Sequence, residues 1–282
     1  FATNQASALR TFLSFHPMAS RPIPAMQACT AAAWRAQKFD AVIASTEMMT
    51  PYALQASDGV PRILEDHNAM TRWAWERYLA QRSPLQRARC WLSWQKNRHY
   101  EARLFRRFDL VAMVSEQDRA ACLESLPGYR GPVAVIPNGV DCAHHRPGLV
   151  EVRPNTLIYN GALAYSANYD AMRTFLAEIY PLVRQQNPAV TLSITGSTTG
   201  VDLTGLRLDD SVRLTGYVED IRLPVAGSTV CVVPLRQGGG TRLKILEAMA
   251  LGTPVVATSK GAEGLEVVDG EHLLIADTPV AF

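Results

Sequence analysis

Short apolar runs closed by turn residues alternate along this chain with longer stretches whose apolar positions recur at helical spacing. The alternation is cleanest in the second half. There it predicts strands at 156–160, 190–195, 212–215, 229–233 and 255–258, with helices at 168–186, near Ile221 and at 242–251. Strands and helices in this order build a doubly wound parallel sheet. In the first half an alanine-rich helix at 25–37 leads to a strand at 41–44, and a second strand follows at 61–65. A long helical region at 69–107 is interrupted near Ser83 and Pro84, and buried-type strands are expected at 110–114 and 133–136. Ser115 stands where the N-cap of a helix running to Leu126 belongs. Residues 1–20, broken by Pro17 and followed by Pro22 and Pro24, predict no element. The turn-rich segment 141–154 reads as a linker, which divides the chain into α/β domains at 1–146 and 147–282.

One stretch carries most of the chemistry. Val230 to Pro234 is a buried-type strand, Gly238, Gly239 and Gly240 follow, and a helix with Leu243, Leu246 and Met249 or Ala250 toward the core is expected next. Gly252 suits a left-handed helix end, and Pro254 opens the following strand. Arg242 and Lys244 at the helix start oppose the macrodipole, which favours negative charge there. An anionic ligand resolves the conflict: glycine-loop amides, the helix terminus and two cations would converge on a phosphate or diphosphate. One turn on, Glu247 can accept hydrogen bonds from a vicinal diol such as a ribose. Without a ligand the same residues form a solvated basic turn.

Strand ends at Asn160-Gly161, Thr195-Gly196-Ser197 and Gly216-Tyr217-Val218 should open on the same sheet edge as the glycine loop. In the first half Asp66-His67-Asn68 sits at a strand's C-terminal end, and His67 is the acid/base candidate there. A structural hydrogen-bonding role is its alternative.

The run PLRQGGGTRLKILEAMALGTPVVAT closely resembles the donor-binding segment of the family-four retaining glycosyltransferases, which have the GT-B architecture. The resemblance extends from about Phe39 to Asp277, and its motifs, including DHN at 66–68 and IPNGVD at 136–141, fall in the family's order. It implies two Rossmann-like domains whose parallel sheets face each other across a cleft. It also implies transfer of a sugar from a nucleoside diphosphate sugar to an acceptor hydroxyl, with retention, no cofactor and no obligatory metal. By the same resemblance Glu247 holds the ribose, His67 faces the transferred sugar, Tyr217 and Val218 bracket the base, and Gly161, Gly239, Gly240, Thr241, Arg242 and Lys244 line the donor site. His67, Arg242 and Lys244 are the expected catalytic residues. Two departures stand out: Gly239 replaces a glutamate common in the family, and the loop from Gly161 to Asn168 lacks the usual Arg and Lys. Relatives also extend at both ends, so the chain reads as a piece of a longer protein. A nucleotide-sugar epimerase of the same architecture and a non-catalytic nucleotide-sugar-binding subunit are the alternatives; an epimerase would convert the donor without an acceptor.

Composition narrows the picture further. A chain of 282 residues with 19% charged residues is globular in character, and a net charge of +2 does not predict a nucleic-acid partner. No apolar run is long enough to cross a bilayer, and no signal-peptide pattern opens the chain. Cys29, Cys90, Cys122, Cys142 and Cys231 show no metal or disulfide spacing, which favours a reducing, cytoplasmic setting. The 69–107 region interleaves Trp73, Trp75, Trp91 and Trp94 with ten cations against two glutamates. Such a pattern serves as a solvated face packed on the sheet by its tryptophans. It also suits peripheral contact with an anionic inner membrane face or grip on a phosphorylated acceptor. The acceptor class, whether sugar, lipid-linked or small molecule, is not written in these residues; polysaccharide or glycolipid synthesis is the expected setting.

Overall fold

A computed structural model describes residues 22–67 and 70–282. Residues 1–20 and Asn68 of the DHN motif, both discussed above, lie outside the described residues in whole. The chain divides into two compact units, 1–137 and 138–282.

The first unit holds a four-stranded parallel sheet in sequential order: β1 (Val42–Ser45), β2 (Arg62–Asp66), β3 (Leu110–Met113) and β4 (Val133–Val135). Around it run α1 (Pro24–Ala36), α2 (Thr50–Ala53), α3 (Met70–Leu79), α4 (Pro84–Phe105) and α5 (Glu116–Ser125). The break between α3 and α4 falls where Ser83 and Pro84 place it, since proline is tolerated only in a helix's first turn. Ser115 caps α5 by accepting from the Asp118 amide. Leu64, Phe105, Val111, Met113 and Tyr129 centre the core.

The second unit holds six parallel strands. These are β5 (Arg153–Asn160), β6 (Thr191–Thr195), β7 (Val212–Gly216), β8 (Ser228–Val233), β9 (Val255–Ala257) and β10 (Leu274–Ile275), in the spatial order β10-β9-β8-β5-β6-β7. Counted within the unit this is 3-2-1-4-5-6, the Rossmann order, whose direction reverses between β5 and β8. Neighbouring residues of one strand feed opposite layers: Ile158, Cys231 and Val233 join one core, Tyr159 and Val232 the other. Helices α6 (Ser166–Thr174), α7 (Tyr180–Gln186), α8 (Arg222–Ala226) and α9 (Leu243–Ala250) complete it.

Two expectations are corrected here, and one strand is added. The helix anticipated as one piece at 168–186 is α6, a π turn at Phe175–Ile179, and α7. Pro181 in the first turn of α7 donates no amide and crowds the carbonyl one turn back, which widens the preceding turn. The buried face of α9 is Ile245 and Ala248, while Leu243 is 44% exposed. Finally, β10 is too short to leave a periodic signature.

Candidate functional site

Ligands of a doubly wound sheet sit beyond the strand ends at the reversal point. In the second unit that place is bounded by the loop after β5, which begins at Gly161, and by the glycine loop that joins β8 to α9. Both loops need glycine. Gly238 and Gly240 have φ of +107° and +73°, and Gly196, at φ +104° after β6, lies so close to the β5 loop that a Cβ would stand 2.6 Å from the Ala162 nitrogen.

Lys244, in the first turn of α9, is the charge at this point. Its ammonium lies 4.2 Å from the centre of the Tyr159 ring and 3.5 Å from Asn168 Oδ1. A Cβ on Gly161 would come within 2.7 Å of Nζ, so glycine there makes room for the cation. The Tyr159 hydroxyl donates to Asn168 Oδ1 at 2.7 Å, and Asn168 Nδ2 donates to the Ala162 carbonyl at 2.9 Å. Burial around the ammonium pushes its pKa down to about 8; Cys231 and Glu247 act against that shift and Arg242 with it.

Arg242 behaves differently from its neighbour. It is the residue before α9, outside the helix, and its guanidinium turns back onto the glycine loop. It donates to the carbonyls of Gly238 at 2.9 Å and Gly240 at 2.7 Å, and to that of Gly239. An arginine thus laces the loop whose amides the sequence marked for an anion. Thr241 accepts from Asn138 Nδ2, which ties the IPNGVD motif to the loop. Glu247 receives Asn160 Nδ2 at 3.5 Å, and Asn160 Oδ1 in turn accepts from Thr195 at 3.2 Å.

The structure therefore brings Gly161, Gly239, Gly240, Thr241, Arg242, Lys244 and Glu247 together beyond the strand ends at the reversal point. Tyr217 and Val218 follow the edge strand β7, two strand spacings, roughly 10 Å, from β5. Tyr217 is 84% exposed. Sequence reading placed Asn160 at a strand end and Asn138 in the IPNGVD motif without giving either a role, and it gave none to Asn168 or Tyr159. Among these, Asn160 and Asn168 carried a legible signal, as polar residues at the end of a buried strand and beside the loop that follows it.

His67 belongs to the first unit. Its Nε2 lies 3.1 Å from Ser45 Oγ and 3.5 Å from a Glu65 oxygen. Between Ser45 and this edge Thr46 adopts φ +75°, a strained conformation for a β-branched residue. Below lies a buried acid: Glu101 receives the Thr71 hydroxyl, and burial pushes its carboxyl well above the ordinary range, Asp66 and Glu47 adding to the effect. Among the described residues no group of three or more His, Cys, Asp or Glu is arranged to hold a metal ion.

Comparison with known proteins also divides the chain in two. Residues 5–144 match the family described as Glycosyltransferase Family 4, and residues 154–282 match Glycosyl transferases group 1. An uncharacterized 44.6 kDa protein in the cps region of Klebsiella pneumoniae is 28% identical over 134 residues, 45% of this chain and 34% of that protein. Among solved structures, TarM aligns with TM-score 0.67 and 16% identity over 89% of this chain and 48% of its own. Anabaena HepE, solved with UDP and glucose, aligns with TM-score 0.67 and 19% identity over 93% and 72%. The pneumococcal O-GlcNAc transferase GtfA, solved with UDP and GlcNAc, aligns with TM-score 0.58 and 16% identity over 89% and 49%. The chain thus spans about a third of the Klebsiella relative and about half of TarM. With a family 4 match on its first unit, a group 1 match on its second, and a parallel α/β sheet in each, the chain has the GT-B fold, built from two domains that match glycosyltransferase families.

Proposed function

We propose that this chain binds a nucleoside diphosphate sugar and transfers the sugar, with retention of anomeric configuration, to an acceptor hydroxyl. The observation that carries the reading is the Lys244 ammonium, closely surrounded by protein at the sheet's reversal point, with a ring face and one neutral amide oxygen as its contacts. A buried cation so weakly satisfied favours an anionic ligand. Departure of a nucleoside diphosphate concentrates charge on its phosphate oxygens, and a fixed ammonium with loop amides stabilises that charge without recourse to a metal. Arg242 holds the loop in shape and adds its positive field. Glu247, steadied by Asn160, takes the ribose hydroxyls; Tyr217 and Val218 lie toward the base; His67 serves the transferred sugar.

UDP in the HepE and GtfA structures makes uridine donors the first to try. The name of the Klebsiella relative, with its cps region, supports polysaccharide synthesis as the setting. Calorimetry with UDP, GDP, ADP and their sugars, followed by product analysis with and without acceptor, tests the reading. One nucleotide should bind and lose about tenfold or more in affinity in Glu247→Ala. Donor conversion without acceptor would instead indicate an epimerase.

We further infer contact with an anionic membrane through the α3–α4 hairpin. No helix among the described residues is long and apolar enough to cross a membrane. Yet Leu79, Leu85, Trp91 and Leu92 are exposed near the turn, Leu85 by 81%, and from Arg77 to Tyr100 every charged residue is basic. Between the two helices Trp75 meets Trp94 with ring centres 4.5 Å apart, and Arg98 covers Trp94. Exposed leucines beside arginines suit an interface of acyl chains and anionic headgroups. Leu85→Ser with Trp91→Ser should abolish flotation with phosphatidylglycerol vesicles; equal flotation of both proteins contradicts the inference.

A further inference from the structure

We propose that Asn168 and Tyr159 are positioning residues that hold the Lys244 ammonium beyond the strand ends for the donor's diphosphate. The inference rests on the donor reading above and adds what aims the cation. A lysine ammonium has three N–H donors and a flexible stem, so nothing in its own chemistry fixes its direction. Here three elements fix it. Tyr159 of β5 presents its ring face 4.2 Å away, Asn168 of α6 presents Oδ1 at 3.5 Å, and Gly161 between them leaves the space that a Cβ would fill.

The Asn168 amide is itself locked. Its nitrogen donates to the Ala162 carbonyl, and its oxygen accepts from the Tyr159 hydroxyl at 2.7 Å, so the oxygen and not the nitrogen faces the ammonium. Burial raises the Tyr159 phenol above its ordinary range, which keeps it a donor to that oxygen. Reversal of the amide would aim N–H groups at a cation. The Tyr159 hydroxyl therefore sets the polarity of the contact at one remove. Two neutral acceptors also leave the positive charge unspent, whereas a carboxylate in the place of Asn168 would consume it.

That last contrast gives the test. The charged and titratable groups facing Lys244 are Cys231 on β8, Arg242 before α9, Glu247 on α9 and Tyr159 on β5. Burial pushes the Cys231 thiol up to about 12, so it stays neutral through the range of interest. UDP affinity of the full chain is measured by calorimetry against pH for the wild type, Asn168→Ala, Asn168→Asp and Tyr159→Phe, with folding checked by thermal unfolding. In the wild type affinity should fall as pH rises past about 8, where Lys244 gives up its proton. Asn168→Ala removes an acceptor from the charged form, so the fall should move to lower pH. Asn168→Asp should move it to higher pH and still weaken UDP by about tenfold at neutral pH, because the carboxylate neutralises the cation. Tyr159→Phe should act as a milder Asn168→Ala. Opposite displacements of one pH profile do not come from a merely structural asparagine. UDP bound equally by the wild type and a folded Asn168→Asp overturns the inference while the donor reading stands. A wild type that binds none of UDP, GDP or ADP overturns both.

Discussion

At the scale of single residues, two cations two positions apart, one before the helix and one in its first turn, have separate duties. Arg242 was expected on the ligand, and it is found donating to the carbonyls of its own glycine loop. The sequence marks charge, and charge alone does not say which way a guanidinium turns; backbone carbonyls exposed by a glycine run compete for it. Lys244 was legible as a cation at a helix start, but its aromatic and amide neighbours come from other strands and helices, beyond any local pattern. A pH prediction belongs at this scale too. Burial raises the Glu101 carboxyl well above the ordinary range, so between the unfolded and the raised folded value the native state binds a proton that the unfolded chain has given up. This contribution to stability is complete below that range and is lost as pH rises through the raised folded value. Glu101→Gln, neutral throughout, should flatten the decline of unfolding free energy with pH in urea titrations; parallel curves for both proteins would remove the assignment.

At the scale of elements, most strands were legible because buried parallel strands are continuous apolar runs, and the α3–α4 break because Pro84 admits no other. The face of α9 was misjudged. Ile245 and Ala248 meet the sheet, and the leucine spacing that suggested otherwise leaves Leu243 exposed. A short helix offers few turns by which to choose between adjacent faces. Its packing against β8 and β9 makes the choice. The two strand-end glycines then separate stability from function. Gly196→Ala meets the Ala162 backbone and a φ of +104°, and should cost about 1–3 kcal/mol in unfolding free energy. Gly161→Ala meets only the ends of Lys244 and Asn168, which can move. It should keep most of the thermal stability and lose nucleotide affinity. A reversed ranking in thermal unfolding would contradict this placement of the loops.

At the scale of the whole molecule, each unit carries its own parallel sheet and core, and each matches a different family domain. The parallel sheet follows from strand-helix alternation, but the 3-2-1-4-5-6 order, and with it the reversal point that gathers Gly161, Lys244 and Glu247, emerges only once the strands are paired. The central claim is that this point receives a diphosphate. The most direct measurement is the calorimetric affinity of UDP relative to uridine in the wild type and in Lys244→Ala. The account predicts that the variant loses about tenfold or more for UDP while uridine binding changes little. Equal losses for the two ligands, or none for UDP, would contradict it.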